Sequence, residues 1–278
     1  MTDRALIRDP VRAGDQDRYW AGLFMPLPAR DHLFALYAFN IELARIGEHA
    51  REVHLGEIRL QWWRDALAVP AGAVSGHPVA DAIAAARTAH DLPPDVLDGM
   101  IDARAVDIYP EPVADMDALR AYLSATAGAV FRLGAWIAGA RDAGAEAASA
   151  EAAMAYGLTG LMRALPYHTA RGQLFMPAAF LRSFGIEGEA VLRGEDSEGL
   201  RAALGVLRER AGEHLAAFRR QAEALPPSAL PVFLPLTLIP AYLRQMAAPG
   251  HRPLHDIAQL NPLSRYARIW KAQLRGRV

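Results

Sequence analysis

The hydrophobic positions of this chain recur at steps of three and four residues. In residues 30–50, Leu33, Leu36, Tyr37, Ile41 and Ala44 have the spacing of a single helix face. Sustained alternation with a period of two is absent, and alanine outnumbers the β-branched residues. Periodicity and helix propensity therefore agree, and together they predict an all-α protein.

Prolines, glycines and capping residues divide this pattern into separate predicted helices. The predicted helices cover residues 30–50, 53–68, 79–90, 93–107, 118–140, 143–168, 198–224 and 262–274, with a loop at 70–78. Asp117 has the sequence position of an N-cap for the helix that follows it. The apolar run 225–243 is interrupted by prolines. Because a membrane crossing needs roughly 20 apolar residues, this run is predicted to be a buried, kinked helix pair.

The chain is expected to form one domain over residues 1–278, with flexible ends at 1–17 and 275–278. It contains no linker rich in glycine, serine or proline between two halves and no repeat of fixed period. Residues 1–17 mix acids and arginines and lack the apolar segment of a secretory signal. We therefore expect a cytoplasmic protein.

Charge and composition exclude several classes of function. The formal net charge of −1 argues against a nucleic-acid partner. The chain has no cysteine, which excludes disulfides, thiolate nucleophiles and cysteine-ligated metal sites. Its nine histidines form no HExxH spacing, and no P-loop or GxSxG string occurs.

Four segments, taken together and in order, resemble the squalene/phytoene synthase family. They are residues 17–40 (DRYWAGLFMPLPARDHLFALYAFN), 56–67 (GEIRLQWWRDAL), 119–130 (LRAYLSATAGAV) and 156–177 (YGLTGLMRALPYHTARGQLFMP). The resemblance implies an isoprenoid-synthase-type helical bundle around a central apolar cavity. Family enzymes join two prenyl diphosphates head to head, and two aspartate-rich helices hold magnesium ions that neutralise the diphosphate.

This sequence departs from the family at the aspartate positions. Those of the first cluster fall on Ala44, Arg45 and Glu48, and those of the second on Ala164 and His168. A guanidinium at Arg45 would repel a metal ion, and the His168 imidazole suits metals softer than Mg²⁺. We therefore expect no metal site and no cofactor, and we assign no catalytic residue.

Two strings resemble one branch of the family more closely than the rest. Residues 55–67 and 163–168 resemble the mitochondrial complex I assembly factors and their bacterial relatives. Membership implies a pseudoenzyme that either binds an isoprenoid or another lipid or acts as an assembly-type factor for respiratory complex I. The implied partners are a lipid ligand and a respiratory-complex assembly protein.

The same resemblance places a set of candidate ligand-binding residues at the cavity and its mouth. These are Tyr37, Arg45, Glu48, Glu52, Arg163, Tyr167, His168 and Arg171. In this interpretation, Arg163 and Arg171 hold an anionic head group without metal. The alternative is that these charges form solvated helix faces with local ion pairs.

An active prenyl transferase remains the rival hypothesis. It would use relocated magnesium ligands such as Glu48, Glu52 and Asp107, and Asp102 could lie on the same helix as Asp107. Magnesium would then be the cofactor, and the reaction would be the head-to-head condensation of isoprenoid biosynthesis.

The C-terminal segment is strongly basic. From Arg252 onward its only acidic residue is Asp256; its basic residues are Arg252, Arg265, Arg268, Lys271, Arg275 and Arg277. Together with Tyr266 and Trp270, these cations predict peripheral contact with an anionic membrane, the inner membrane in this interpretation. The alternative is a solvated terminal helix.

Overall fold

Helices follow one another throughout the part of the chain that the computed structural model describes, residues 4–49, 52–70, 74–109 and 111–278. No strand occurs in these ranges, and the all-α prediction is confirmed. The α-helices are α1 (Arg4–Gly14), α2 (Gln16–Gly22), α3 (Ala29–His49), α4 (Val53–Ala68), α5 (Pro78–His90), α6 (Pro94–Ala103), α7 (Ala105–Ile108), α8 (Met116–Leu123), α9 (Ala129–Ile137), α10 (Ala143–Thr169), α11 (Ala178–Arg182), α12 (Gly188–Leu192), α13 (Glu198–Gln221), α14 (Leu230–Phe233), α15 (Ile239–Met246) and α16 (Pro262–Arg275).

The long periodic segments gave accurate helix predictions. Helices α3, α4, α5, α10 and α16 begin and end within one residue of the predicted bounds, apart from Ala50, which lies outside the described residues. Helix α13 ends at Gln221, three residues early, and a 3₁₀ turn follows at Ala222–Ala224. Residues 71–73 of the predicted loop also lie outside the described ranges.

Two predicted helices are wrong in detail because each is interrupted. The segment 93–107 divides at Arg104 into α6 and α7. The segment 118–140 begins earlier, because the Asp115 carboxylate, not that of Asp117, caps it by accepting from the Ala118 amide at 2.8 Å. A π-helical turn at Ser124–Gly128 then separates α8 from α9. Such turns are frequent at functional sites.

Residues 1–17 were expected to form a flexible end, but most of this segment is helical and packed. Residues 1–3 lie outside the described chain, but α1 packs on α3 and buries Ile7 and Val11 in the core. Apolar residues four apart on one helix face account for this packing. At the other end, Val278 packs against the same core.

Helix α10 connects two groups of buried side chains. Its first half contributes alanines to a core formed with α1, α3, α5, α6 and α9, and its second half contributes Leu158, Met162 and Leu165 to a core formed with α8, α13 and α16. The alanines permit close helix contact, and α13 lies along α10 with the most extensive packing of any helix pair. Helix α3 runs through the first core and buries Phe34, Tyr37 and other large side chains.

The proline-rich run forms short helical pieces rather than two regular helices. A 3₁₀ turn, α14, a second 3₁₀ turn at Leu234–Leu238 and α15 follow one another, and most of their apolar side chains are buried. Within the described ranges, no helix has a stretch long and apolar enough to cross a membrane.

Two glycines allow the short helix α7 to lie directly against α3 and α4. A Cβ on Gly47 would come within 2.7 Å of the Asp107 carbonyl oxygen, and a Cβ on Gly56 within 2.7 Å of the Ile108 side chain. Helix α7 can occupy this position only because both neighbouring helices lack a side chain there. This packing fixes the position of Asp107.

The substitution Gly47→Ala tests this close contact. We expect a loss of about 1–3 kcal/mol in the free energy of unfolding, because the new methyl group meets backbone that cannot move aside easily. The matched control is Gly99→Ala in α6, where no atom lies within 4 Å of the position that a Cβ would occupy. That variant should gain up to about 1 kcal/mol from helix propensity. Urea unfolding followed by circular dichroism measures both, and equal effects would contradict the packing described for α7.

Candidate functional site

Helix α2 brings Asp15, Asp17 and Arg18 into the protein interior. The Asp15 carboxylate caps the helix by accepting from the Arg18 amide at 2.9 Å. The same carboxylate lies 3.3 Å from the Arg18 guanidinium and accepts from the Tyr156 hydroxyl at 3.3 Å. A single cap therefore orients the helix and also neutralises its buried cation.

The Arg18 guanidinium, only 4% exposed as a residue, lies among aromatic rings of α3, α9 and α10. Its distances to the ring centres are 4.7 Å for Tyr156, 5.6 Å for Phe131 and 5.7 Å for Tyr37. Its Nε and Nη2 atoms have no hydrogen-bond partner within the described part of the chain, so the ring faces supply the remaining stabilisation. The resemblance implies an apolar cavity in the bundle, but this part of the interior contains a paired cation.

Asp17 forms a second cluster with residues from three other helices. Its carboxylate lies 2.7 Å from Arg265 and 3.5 Å from Arg163, and it accepts from the Tyr242 hydroxyl at 2.8 Å. The Arg163 guanidinium also lies 3.6 Å from the centre of the Tyr242 ring, and its Nε donates to the Ala258 carbonyl. Burial, and then the nearby Asp15 charge, raise the pKa of Asp17, and burial raises the pKa of Tyr242 to about 12.

Arg104 forms a third cluster at the turn between α6 and α7. Its guanidinium donates to Asp107 at 3.0 Å, to the Tyr122 hydroxyl at 3.1 Å and to the Asn40 side chain at 3.1 Å. The Tyr122 hydroxyl in turn donates to Asp107 at 2.7 Å. Burial raises the pKa of Tyr122, which keeps it a neutral donor. The Arg104–Asp107 ion pair thus connects α7 to α8 through Tyr122 and to α3 through Asn40.

Each carboxylate in these three clusters meets at least one cation. Asp15, Asp17 and Asp107 are matched by Arg18, Arg163, Arg265 and Arg104, so cations exceed anions by one in this set. In the described ranges, no three His, Cys, Asp or Glu side chains lie together in a way that could hold a metal ion. The oxygens of Asp15, Asp17 and Asp107 are therefore engaged in buried ion pairs and hydrogen bonds, an arrangement that does not favour metal coordination.

Four of the candidate residues meet where α3 and α10 end. Arg171 donates to the Glu48 carbonyl oxygen and lies 5.3 Å from the Tyr167 ring. Burial, and then the Glu48 charge, raise the pKa of Tyr167. The His168 ring packs edge-on against the Phe175 ring, with 4.7 Å between the ring centres. Burial lowers the pKa of His168, which favours the neutral imidazole at pH 7.

The other four candidate residues lie elsewhere. Tyr37 is buried in the core beside Arg18. Arg45 lies 3.9 Å from Glu42 in a groove beside Trp62 and Trp63 of α4. Glu52 is exposed at the start of α4. Arg163 belongs to the Asp17 cluster, where its guanidinium lies 3.5 Å from the buried carboxylate.

The break at Arg104 also separates the two acids that the sequence placed on one helix. Asp102 is exposed and pairs with Arg64 of α4 at 2.6 Å, whereas Asp107 is buried. A continuous helix was the basis for expecting them together, so that expectation is corrected. Arg265, counted among the solvated or membrane-facing cations of the tail, is likewise buried, in the Asp17 cluster.

Sequence reasoning missed most of the buried network. Asp15, Arg18, Arg104, Tyr122, Tyr156 and Tyr242 carried no candidate role. A short helix of seven residues gives too few turns for periodicity to separate a buried polar side chain from an exposed one. The available signal was the Asp17–Arg18 pair next to aromatic residues within the segment that carries the family resemblance.

Comparisons with known proteins place this geometry in context. The model of the squalene/phytoene synthase family matches residues 11–267. NADH dehydrogenase (ubiquinone) complex I assembly factor 6 of Mus musculus is 28% identical over 266 residues, which cover 94% of this chain and 80% of that protein. Phytoene synthase of Thermus thermophilus is 29% identical over 213 residues, covering 75% and 70%.

Solved structures share the fold. The squalene synthase HpnC from Alicyclobacillus acidocaldarius superposes with a TM-score of 0.72 at 21% identity, over 88% of this chain and 92% of that one. A dehydrosqualene synthase in complex with ligand gives a TM-score of 0.75 at 15% identity, over 98% and 95%. The isoprenoid-synthase-type bundle predicted from the sequence is therefore confirmed.

The Arg104 cluster yields a direct test of the buried network. Arg104→Met leaves Asp107 buried without its cation, so we expect a loss of about 3–5 kcal/mol in the free energy of unfolding. The control is Arg64→Met, which removes the partner of the exposed Asp102 and should cost about 1 kcal/mol or less.

Adding Asp107→Asn to Arg104→Met should restore part of the loss, because the unpaired charge is removed. Chemical denaturation of the three variants measures these differences. If Arg104→Met and Arg64→Met were equally mild, Arg104 would not be held in a buried ion pair.

Proposed function

The chain belongs to the squalene/phytoene synthase family, and we propose that it is a non-catalytic member acting as an assembly-type factor for respiratory complex I. The observation that carries the proposal is the buried network of arginines, aspartates and tyrosines inside the bundle. A prenyl-diphosphate enzyme needs carboxylate oxygens free to hold Mg²⁺ around the leaving diphosphate. Here the carboxylates of Asp15, Asp17 and Asp107 already bind guanidinium groups.

The positions that correspond to the family's aspartates support this proposal. Ala44 and Ala164 offer no ligand oxygen, and His168 is packed against Phe175. The rival hypothesis of relocated ligands needs Glu48, Glu52 and Asp107 to act together. Asp107 is bound by Arg104 and Tyr122, and Glu52 is exposed at the start of α4. These surroundings do not favour a shared magnesium ion.

An assembly role is supported by the relatives and by the surface of α4. The assembly factor 6 proteins of mouse and cattle match 94% and 97% of this chain. On α4, Leu55, Ile58 and Trp62 are exposed at steps of three and four residues, which places them on one face. An exposed apolar stripe of this kind is typical of a surface that contacts another protein.

Helix α16 supports a second part of the proposal, a peripheral position on an anionic membrane. Leu263 and Leu274 are 83% and 69% exposed, and Trp270, 49% exposed, stacks on Tyr266. Steps of three and four residues place these four side chains on one helix face. The flanking cations Lys271, Arg275 and Arg277 are exposed, and no acid occurs in residues 257–278. Apolar residues beside cations favour the interface of an anionic bilayer.

The proposal predicts that the purified protein does not condense prenyl diphosphates. Incubation with farnesyl or geranylgeranyl diphosphate and Mg²⁺ should yield no squalene- or phytoene-type product, since no described group of carboxylates gathers the metal. Phytoene synthase of Thermus thermophilus serves as the positive control under the same conditions. Robust condensation by this chain, abolished by Glu48→Gln, would establish the rival hypothesis.

The proposal also predicts a defect in complex I when the gene is removed from the source organism. Mature complex I on native gels should fall, and both the wild type and Glu48→Gln should restore it. The double variant Trp270→Glu/Leu274→Glu should leave the membrane fraction and fail to restore it. The control is Leu6→Glu on α1, which is also exposed and should behave as wild type. An unchanged complex I level after gene removal would refute the assembly role.

A further inference from the structure

A small cavity lies between α13, α10 and the loop after α15, away from the buried network. Its volume is about 140 Å³, and its walls include Met162, Leu204 and Met246 together with Arg208 and His251. A cavity needs roughly 10–15 Å³ on this measure to hold one water. There is therefore room for a small organic anion but not for a long isoprenoid chain.

Two arginines of α13 lie on the same side of this cavity. Arg201 and Arg208 are seven residues apart, with Leu204 between them on the same helix face. Arg201 is already engaged, because it pairs with Asp196 at 2.5 Å and donates to the His251 carbonyl at 3.4 Å. The Arg201 guanidinium therefore contributes positive charge to the cavity while its position is set by Asp196 and the His251 carbonyl.

Arg208 is different, because it is a half-buried cation with no matching anion. Within the described part of the chain it has no hydrogen-bond or ion-pair partner, and burial alone lowers its pKa. A guanidinium that loses water without gaining a partner destabilises the folded state. An anion bound in the cavity would supply the missing partner.

His251 adds a second polar group to the same space. Its main-chain amide is fixed by the Ala248 carbonyl, and its ring is near both arginines. Burial lowers the pKa of His251; the charges of Asp256 and Asp196 act against this shift, and those of Arg208 and Arg201 act with it. The net direction favours the neutral imidazole at pH 7, which can donate from one ring nitrogen. The nearby Asp256 is paired with Arg252 at 2.8 Å. Asp196 is paired with Arg201 through Oδ2, while its Oδ1 has no hydrogen-bond partner in the described part of the chain.

We propose that this cavity binds the phosphate group of a small phosphorylated molecule. The phosphate pairs with the Arg208 guanidinium, receives a hydrogen bond from His251 and lies near Arg201, while a short carbon chain contacts Met162, Leu204 and Met246. A tetrahedral phosphate presents oxygens in several directions, which suits donors from a helix and a loop that face each other. A planar carboxylate would satisfy fewer of them. This proposal is independent of the assembly role.

Calorimetric and thermal titrations of the full-length protein test the site. The probes are inorganic phosphate and glycerol 3-phosphate, with acetate and sodium chloride at matched ionic strength as comparisons. We expect saturable binding of both phosphates and a rise in Tm, with acetate at least tenfold weaker. In Arg208→Gln, phosphate binding should weaken at least tenfold, while stability without phosphate stays the same or increases, because an unpaired cation has been removed.

A matched control and a lipid arm complete the experiment. Arg220→Gln alters an exposed arginine of the same helix and should bind phosphate as wild type does. Vesicles of phosphatidylcholine, with or without phosphatidic acid, distinguish a lipid head group from a free phosphate. If the ligand is a lipid head group, vesicle binding should require both phosphatidic acid and Arg208. Absence of saturable phosphate binding, equal affinity for acetate, or an equal loss in Arg220→Gln would overturn the proposal.

Discussion

Buried charges in this protein are paired across helices that lie far apart in the sequence. A guanidinium or carboxylate removed from water is costly unless a partner meets it, and removing one partner of a buried pair costs far more than an exposed pair contributes. The Asp17 cluster joins α2 to α10, α15 and α16, and the Arg104 cluster joins the α6–α7 turn to α3 and α8. Elements far apart in sequence are therefore held in one arrangement.

The same constraint links structure to function. A magnesium site requires carboxylates whose oxygens are not already committed, whereas Asp15, Asp17 and Asp107 each accept from a cation or a tyrosine hydroxyl. The bundle of a prenyl-synthase family can be kept while its interior chemistry changes, since function resides in the site rather than in the fold. In the role proposed for this chain, the exposed apolar faces of α4 and α16 are the surfaces that contact other molecules.

Periodicity predicted the fold well and the site poorly, for a physical reason. The bounds of α3, α4 and α10 follow from local apolar spacing, which is present in the sequence itself. The partners of Asp17 lie on α10, α15 and α16, so no local pattern identifies them. Arg45 illustrates the same limit. Its side chain lies in a groove beside Trp62 and Trp63 of α4, and the apolar spacing within α3 gives no indication of that contact.

The effect of Mg²⁺ on the binding of a non-reactive diphosphate distinguishes carboxylates that are free to hold metal from carboxylates held in ion pairs. The free energy of unfolding would be measured with a farnesyl thiodiphosphate analogue, with and without Mg²⁺, because a ligand that binds the folded state stabilises it. We expect Mg²⁺ to add no stabilisation beyond that of the analogue alone. A saturable gain that requires Mg²⁺ and disappears in Glu48→Gln would show that acidic oxygens do gather the metal, and the non-catalytic role would then be wrong.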